Sequence, residues 1–160
     1  MKPKGYTIVE LIIVITIILV LAGAAIGGTS GIIRNLRFTN TFNKMVLMVQ
    51  QARSNAITGK NEQSYGINIQ SSVFQIFAGT STTVIETLQA PTNLVFSTKG
   101  SLTCAAAATI EFTSLKATTT LKCNGIDEKQ LEVSLCNDSA CTTNKKSFLI
   151  NKAAGIPQVR

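Results

Sequence analysis

Glu10 is the one charged residue in an apolar run from Tyr6 to Gly28. A carboxylate in such a run costs about 2.5 to 3.5 kcal/mol on membrane-insertion scales, so an acid there indicates a function and needs a partner. Cleavage after Gly5 would create one, because the new Tyr6 ammonium would lie about one helical turn from Glu10. Pairing within one subunit, or between staggered subunits, would favour a single packing register. The pattern predicts an assembly role for Glu10.

The apolar run has the length of a membrane span. Residues 6–28, at a rise of about 1.5 Å each, can cross a hydrocarbon core of about 30 Å, and a short basic segment precedes them. The alternative is a secretory signal peptide that is cut near Ala22-Gly23-Ala24, but this leaves Glu10 unexplained. We therefore expect a single membrane-spanning segment here.

The segment from Lys4 to Leu11, KGYTIVEL, resembles the class III signal of type IV pilins and pseudopilins. In that family a membrane-embedded prepilin peptidase cuts after the Gly and methylates the new amine. The resemblance implies that Gly5 and Tyr6 flank the scissile bond and that Glu10 is the assembly carboxylate. Family members usually begin with Phe, where this chain has Tyr6.

The resemblance also implies partners and a location. The implied partners are the prepilin peptidase, the inner-membrane assembly machinery and other pilin subunits. The implied location is the inner (cytoplasmic) membrane for a single-pass precursor, and then a filament at the cell surface or in the periplasm. The sequence leaves open whether this is a type IV pilus, a type II secretion pseudopilus or a competence filament. A minor subunit is the expectation.

A second helical pattern follows the apolar run. Apolar residues recur at helical spacing and predict an amphipathic helix that packs on a globular core: Phe38, Phe42, Met45, Val49, Ala52 and Ala56. Gly59 is the expected C-cap. The glycines at 23, 27, 28 and 31 make the middle of this long helix the expected place to bend or melt, because each Gly costs about 1 kcal/mol against Ala.

Beyond Gly59 the pattern changes to short segments rich in Val, Ile, Thr and Phe. Eight strands are predicted: 64–69, 73–77, 83–88, 93–96, 108–112, 118–123, 130–135 and 146–151. The expected fold class is α+β and pilin-like: a long N-terminal helix, transmembrane in its first half, packed on an antiparallel β-sheet head. The expected domains are a leader (1–5), an assembly half (6–28), an amphipathic half (29–58) and the head (59–160).

Within the family, the head looks most like GspH/FimT-type minor pilins. Residues 51–57, QARSNAI, resemble the "ARSxAI" pattern of that group, and residues 94–100, LVFSTKG, resemble its strand and turn. The ending departs from the usual Gly-Arg, because Ile156 and Pro157 follow Gly155.

Four cysteines, at 104, 123, 136 and 141, lie in the last third of the chain. In an exported protein an even number predicts disulfides, and a four-cysteine zinc site or free thiols are the alternatives. A turn-forming sequence separates Cys136 from Cys141, and Cys104 and Cys123 bracket a predicted hairpin. The candidate pairs are therefore Cys104–Cys123 and Cys136–Cys141, although the sequence permits all three connectivities.

The net charge of +7 permits an anionic partner. Basic residues near the C-terminus, namely Lys145, Lys146, Lys152 and Arg160, make DNA the alternative partner, as for some FimT-like pilins of natural transformation. A solvated basic edge is the simpler interpretation, since no aromatic stacking motif accompanies them.

Catalysis is disfavoured because the chain contains no His. This excludes Ser-His-Asp and Cys-His catalysis and every His-containing metal site. The acidic residues of the head are scattered, without a nucleophile and base pair or a phosphate loop. The sequence predicts a structural protein with no catalytic residue, metal or cofactor.

Overall fold

The computed structural model describes residues 7–79, 83–100, 104, 107–114, 118–138, 140–142 and 144–159, and for residues 24–30 the backbone alone. The fold is α+β, with a long helix and antiparallel sheets. Its elements are α1 (Ile8–Ile57), a 3-10 turn (Lys60–Glu62), β1 (Tyr65–Ile69), β2 (Val73–Ala78), β3 (Val84–Gln89), β4 (Val95–Lys99), β5 (Ala108–Phe112), β6 (Thr119–Cys123), β7 (Ile126–Glu128), β8 (Gln130–Cys136), β9 (Lys146–Asn151) and β10 (Pro157–Val159).

Helix α1 ends where the sequence predicts. Gly59 follows it with a φ of 64°, a left-handed conformation that glycine adopts without strain, and its N–H donates to the Ala56 carbonyl at 3.1 Å. The predicted C-cap is thus confirmed. Melting at the glycines is not seen in the subunit, since α1 is a single helical run through Gly23 and Gly31. Glycine weakens a helix but retains its backbone hydrogen-bonding groups, so the segment can stay helical. Bending or melting on entry into a filament stays a prediction.

The chain divides into two compact units, one up to Arg37 and one from Phe38 onwards. Among the described residues, no helix is both long enough and apolar enough to cross a membrane. We refer to the second unit as the head unit.

Two antiparallel sheets make up the β part of the head unit. The first has six strands in the order β3-β2-β1-β5-β6-β7, and the second has four in the order β10-β9-β8-β4. Antiparallel neighbours need only short connections, which agrees with the turn-forming residues between the predicted strands.

The eight predicted strands are all present, with ends that shift by at most three residues, and the described chain adds two more. Strands β7 and β10 have three residues each, too few to show an apolar alternation. A signal for β7 was nevertheless available. Asn124-Gly125 is a favoured hairpin turn, and both residues adopt the positive φ angles that such a turn needs.

The core lies where the amphipathic part of α1 meets both sheets. Each residue of the predicted stripe from Phe38 to Ala56 is buried, which confirms the amphipathic prediction. Phe42 of this stripe lies against Phe148 of β9, with ring centroids 6.0 Å apart. A single buried cluster therefore joins α1 to the strands of both sheets.

Candidate assembly site

Thr7 begins α1 as its N-cap. The Thr7 hydroxyl accepts a hydrogen bond from the Glu10 backbone N–H at 3.3 Å, and the Thr7 carbonyl accepts one from the Leu11 N–H, also at 3.3 Å. Glu10 is thus the third residue of the helix, where the unpaired N–H groups favour negative charge. The sequence analysis missed Thr7, although Thr-x-x-Glu before an apolar run is a recognised helix start.

The side chains around Glu10 are apolar on every face of the helix. Between Ile8 and Gly23 the other polar side chain is Thr16, whose hydroxyl donates to the Ile12 carbonyl and is satisfied within the helix. The large apolar residues of this segment are about half exposed or more. A helix that is apolar on every face is stable when it is buried in a protein core or in a membrane. Glu10 would then be its single group in need of a charged partner.

Gly5 and Tyr6 lie outside the described residues. The predicted pairing of the Tyr6 amine with Glu10 therefore stays a prediction, as does the position of the scissile bond. The structure shows that the helix which would carry this pair begins within two residues of Tyr6.

Residues 1–26 match the family model of the prokaryotic N-terminal methylation motif. The match covers the basic leader, Gly5, Tyr6 and Glu10 together with most of the apolar run. It supports a type IV pilin-like protein that a prepilin peptidase processes and that assembles with other pilin subunits. No curated protein and no solved structure matches the chain. The motif therefore supports the pilin-like assignment without identifying a subtype.

Lys145, Lys146 and Lys152, the described basic residues near the C-terminus, do not form one patch. Lys145 lies next to one end of β9, and Lys152 follows the other end, about 20 Å away along an extended strand. The Lys145 ammonium lies 2.6 Å from a carboxylate oxygen of Glu132, and that of Lys152 lies 4.0 Å from Asp127. Arg160 lies outside the described residues. DNA contact stays a prediction.

Lys146 is directed at the helix of its own chain. Its ammonium donates to the Thr39 hydroxyl at 3.0 Å and lies 5.8 Å and 6.0 Å from the ring centroids of Phe38 and Phe42. Cation–π contacts of this kind contribute about 0.5 to 2 kcal/mol, depending on desolvation. Lys146 therefore holds residues 38–42 of α1 against β9.

The structure pairs Cys104 with Cys123 and Cys136 with Cys141, the two candidate pairs of the sequence analysis, with Cα atoms 5.2 Å and 5.1 Å apart. Cys123 ends β6 and Cys136 ends β8, so each bridge ties a loop to the end of a strand. Since all four cysteines are paired, none is available as a zinc ligand in this structure.

Hydrogen bonds also stabilise the loop that the Cys136–Cys141 bridge closes. Both the backbone N–H and the hydroxyl of Thr142 donate to the Asp138 carboxylate, each at 3.0 Å. Asp138 therefore serves to fix the loop that the Cys136–Cys141 bridge closes.

Proposed function

We propose that this chain is a structural subunit, a minor pilin or pseudopilin, of a type IV pilus or a type II secretion-like filament. It is processed after Gly5, assembles through the apolar part of α1 and Glu10, and catalyses no reaction. The observation that carries this proposal is the lone carboxylate in the first turn of a helix that is apolar on all sides, within the residues that match the methylation motif.

The surface of α1 from Ile8 to Gly23 needs an apolar environment. Exposed apolar patches of more than a few hundred Å² are rare on soluble monomers and mark interaction or membrane surfaces. We assign this surface to the inner membrane in the precursor and to neighbouring subunit helices in the filament. The assembly machinery would transfer the helix from one environment to the other.

Glu10 sets the packing register between neighbouring subunits. In an apolar bundle its carboxylate needs a cation, and the Tyr6 amine of the same or a neighbouring subunit supplies one after cleavage. Breaking a buried ion pair by removing one partner costs about 3 to 5 kcal/mol, because the other charge stays buried and unpaired. Packing registers of neighbouring subunits that leave the Tyr6 amine without a carboxylate are therefore disfavoured.

The two disulfides agree with this assignment. Disulfides persist in oxidising compartments such as the periplasm and the cell surface, and they are rare in the reducing cytosol. The head unit, which carries both, would fold and function on the extracytoplasmic side of the membrane.

The first test is the intact mass and N-terminal sequence of the protein from cells that contain a prepilin peptidase. We expect a chain that begins at Tyr6 and carries one added methyl group on its amine. A chain that still begins at Met1, or one that begins after Ala24, would contradict the proposal and leave a membrane-anchored or secreted β domain.

The second test is Glu10→Ala. We expect normal cleavage, because the scissile bond is retained, and a loss of incorporation into filaments that corresponds to about 3 to 5 kcal/mol. Sheared filaments are quantified against total processed protein. Glu62→Ala is the matched control, since Glu62 is an exposed acid in a polar turn of the head unit. Normal incorporation of the Glu10 variant would contradict the pairing.

A further inference from the structure

A pocket of about 330 Å³ lies in the head unit between the last turns of α1 and the segment that leads into β10. Five of its described lining residues lie between Gln50 and Thr58 at spacings of three or four, and therefore on one face of the helix. Ile156 and Pro157 supply the rest of the described lining. Pockets for small molecules have volumes of about 300 to 1,000 Å³, so a small ligand fits here.

Arg53 is the one charged residue among the described lining residues. All eight acidic residues of the chain lie in its described part, and none of them forms an ion pair with Arg53. The Arg53 Nε is also buried without a hydrogen-bond acceptor. A buried charged donor without a partner is destabilising. The described chain thus leaves the Arg53 guanidinium in need of an anion.

The segment after β9 approaches Arg53 closely because it contains a glycine. Gly155 is buried and has a φ of 59°. A Cβ at this position would lie 3.5 Å from the Arg53 Nε and would clash with the Thr119 hydroxyl. Ile156 follows directly, so the same close approach brings an apolar side chain to the pocket of Arg53. The Thr119 hydroxyl is also buried without a partner, but it is neutral and leaves the charge uncompensated.

A carboxylate is the ligand that suits this guanidinium, since its two oxygens accept two parallel hydrogen bonds. The Gln50 amide and the Ser54 hydroxyl, on the same helix face, are exposed donors for the remaining lone pairs. The last carbonyls of α1 carry partial negative charge, so a single cation beside them favours a monoanion over a doubly charged phosphate. The polar part of the pocket therefore selects one carboxylate.

The apolar part of the lining selects an aliphatic group beside that carboxylate. Ile57 and Ile156 are 40% and 48% exposed, which leaves apolar surface open to a ligand. Ile57 lies one helical turn beyond Arg53, and Cβ atoms at this spacing are about 5 to 6 Å apart. A ligand that reaches both residues therefore carries its aliphatic group within a few bonds of the carboxylate. Burial of this group excludes water and strengthens the ion pair.

We propose that the Arg53 pocket binds a small aliphatic monocarboxylate. The carboxylate pairs with the Arg53 guanidinium and accepts hydrogen bonds from Ser54 or Gln50, while the aliphatic group covers Ile57 and Ile156. The head unit then has a binding function for a small organic acid in addition to its place in an assembly. The proposal uses residues of the head unit alone and does not depend on the filament function.

The test is methyl NMR of the full chain in detergent, with isotope-labelled Ile δ1 methyl groups, during titration with isovalerate. This probe carries one carboxylate and one branched aliphatic group. We expect saturable shifts of the Ile57 and Ile156 methyl signals. The Ile126 methyl is the control signal, since Ile126 is 66% exposed on β7 and lies outside the described pocket lining. Shifts that do not saturate, or that are equal for all three residues, would overturn the proposal.

Two related compounds separate the two parts of the recognition. We expect acetate, which lacks the branched group, and isovaleramide, which lacks the charge, each to bind about tenfold more weakly than isovalerate. Equal affinity for isovaleramide would show that the ion pair does not form. Equal affinity for acetate would show an adventitious anion only, and either result would overturn the proposal. Both comparisons use the unaltered chain, so they hold whether or not a variant folds.

The variant Arg53→Gln tests the guanidinium itself. We expect it to weaken isovalerate binding about tenfold and to leave isovaleramide binding within about twofold. Lys60→Gln is the matched control, because it removes the same charge from an exposed residue of the turn after α1, outside the described lining. We expect this control to change isovalerate affinity less than about twofold, since salt screens exposed charges. Equal losses for the two variants would attribute the effect to net charge and overturn the assignment to Arg53.

Discussion

The two parts of α1 have opposite surface patterns. In the first part, from Ile8 to Gly23, apolar residues cover every face and are exposed. In the second part, from Phe38 to Ile57, apolar residues follow one stripe, and the β sheets of the same chain cover it. The difference shows that the second part is stabilised by its own chain, whereas the first part has no cover of its own. Under the proposed function, a membrane or other subunits would supply that cover.

The largest expected effect comes from shortening a buried residue of the second part. Phe42→Ala should lower the free energy of unfolding by about 3 to 5 kcal/mol, since it removes a buried ring that contacts Phe148. Leu19→Ala, in the first part, should change it by less than about 0.5 kcal/mol. Urea unfolding of the full chain in detergent, followed by the β-sheet circular dichroism signal, measures both. Equal losses would contradict the comparison.

The disulfides should stabilise the head unit to different degrees. Replacing Cys104 and Cys123 by Ala should cost about 3 kcal/mol, and replacing Cys136 and Cys141 about 2 kcal/mol, because loop-closure entropy grows with loop length. The bridges span 19 and 5 positions. Urea unfolding of both double variants measures the difference. The reverse order would show that the effect does not come from loop closure.

A smaller effect is expected where β9 holds the start of the second part. Lys146→Met should cost about 1 to 2 kcal/mol, because it removes the hydrogen bond to Thr39 and the contacts with two rings. Amide hydrogen exchange should rise around Phe42. Lys145→Met is the neighbouring control, since its partly exposed ion pair with Glu132 contributes about 1 kcal/mol. Equal losses for the two variants would contradict a specific role of Lys146.

The smallest effect concerns the start of the first part. Thr7→Ala should weaken the first turn of α1 by about 1 kcal/mol, because the Glu10 N–H loses its acceptor. Exchange of the Glu10 and Leu11 amides should become faster while the unfolding of the head unit stays unchanged. Thr16→Ala is the control, since the Thr16 hydroxyl serves no cap. A change in head stability would contradict the independence of the two parts.

Local sequence patterns predicted much of this fold. The stripe from Phe38 to Ala56, the C-cap at Gly59 and the main strands depend on residues that are near one another in the chain, and such signals are visible in a sequence. The partition of the strands into two sheets depends on contacts between distant residues. Periodicity does not encode those contacts, so the sequence did not predict how the strands divide between two sheets.

The candidate sites also differ in whether the residues that form them are close together in the sequence. The lone acid at Glu10 is a local signal, and the family match at residues 1–26 agrees with it. The basic residues at 145 and 152 are close in sequence, but β9 separates them in space. The pocket at Arg53 combines α1 with residues a hundred positions later, so it becomes visible only in the folded chain.

The contact between Lys146 and Thr39 spans 107 positions, and it joins the first turn of the head unit to its ninth strand. Such long-range contacts close late in folding, since the intervening loop must first lose its entropy. During synthesis the head cannot complete its core until β9 has emerged, when almost the whole chain has been made. Helix α1 is therefore synthesised long before the strand that covers its apolar stripe. Until β9 is synthesised near the end of the chain, the apolar stripe of α1 stays uncovered.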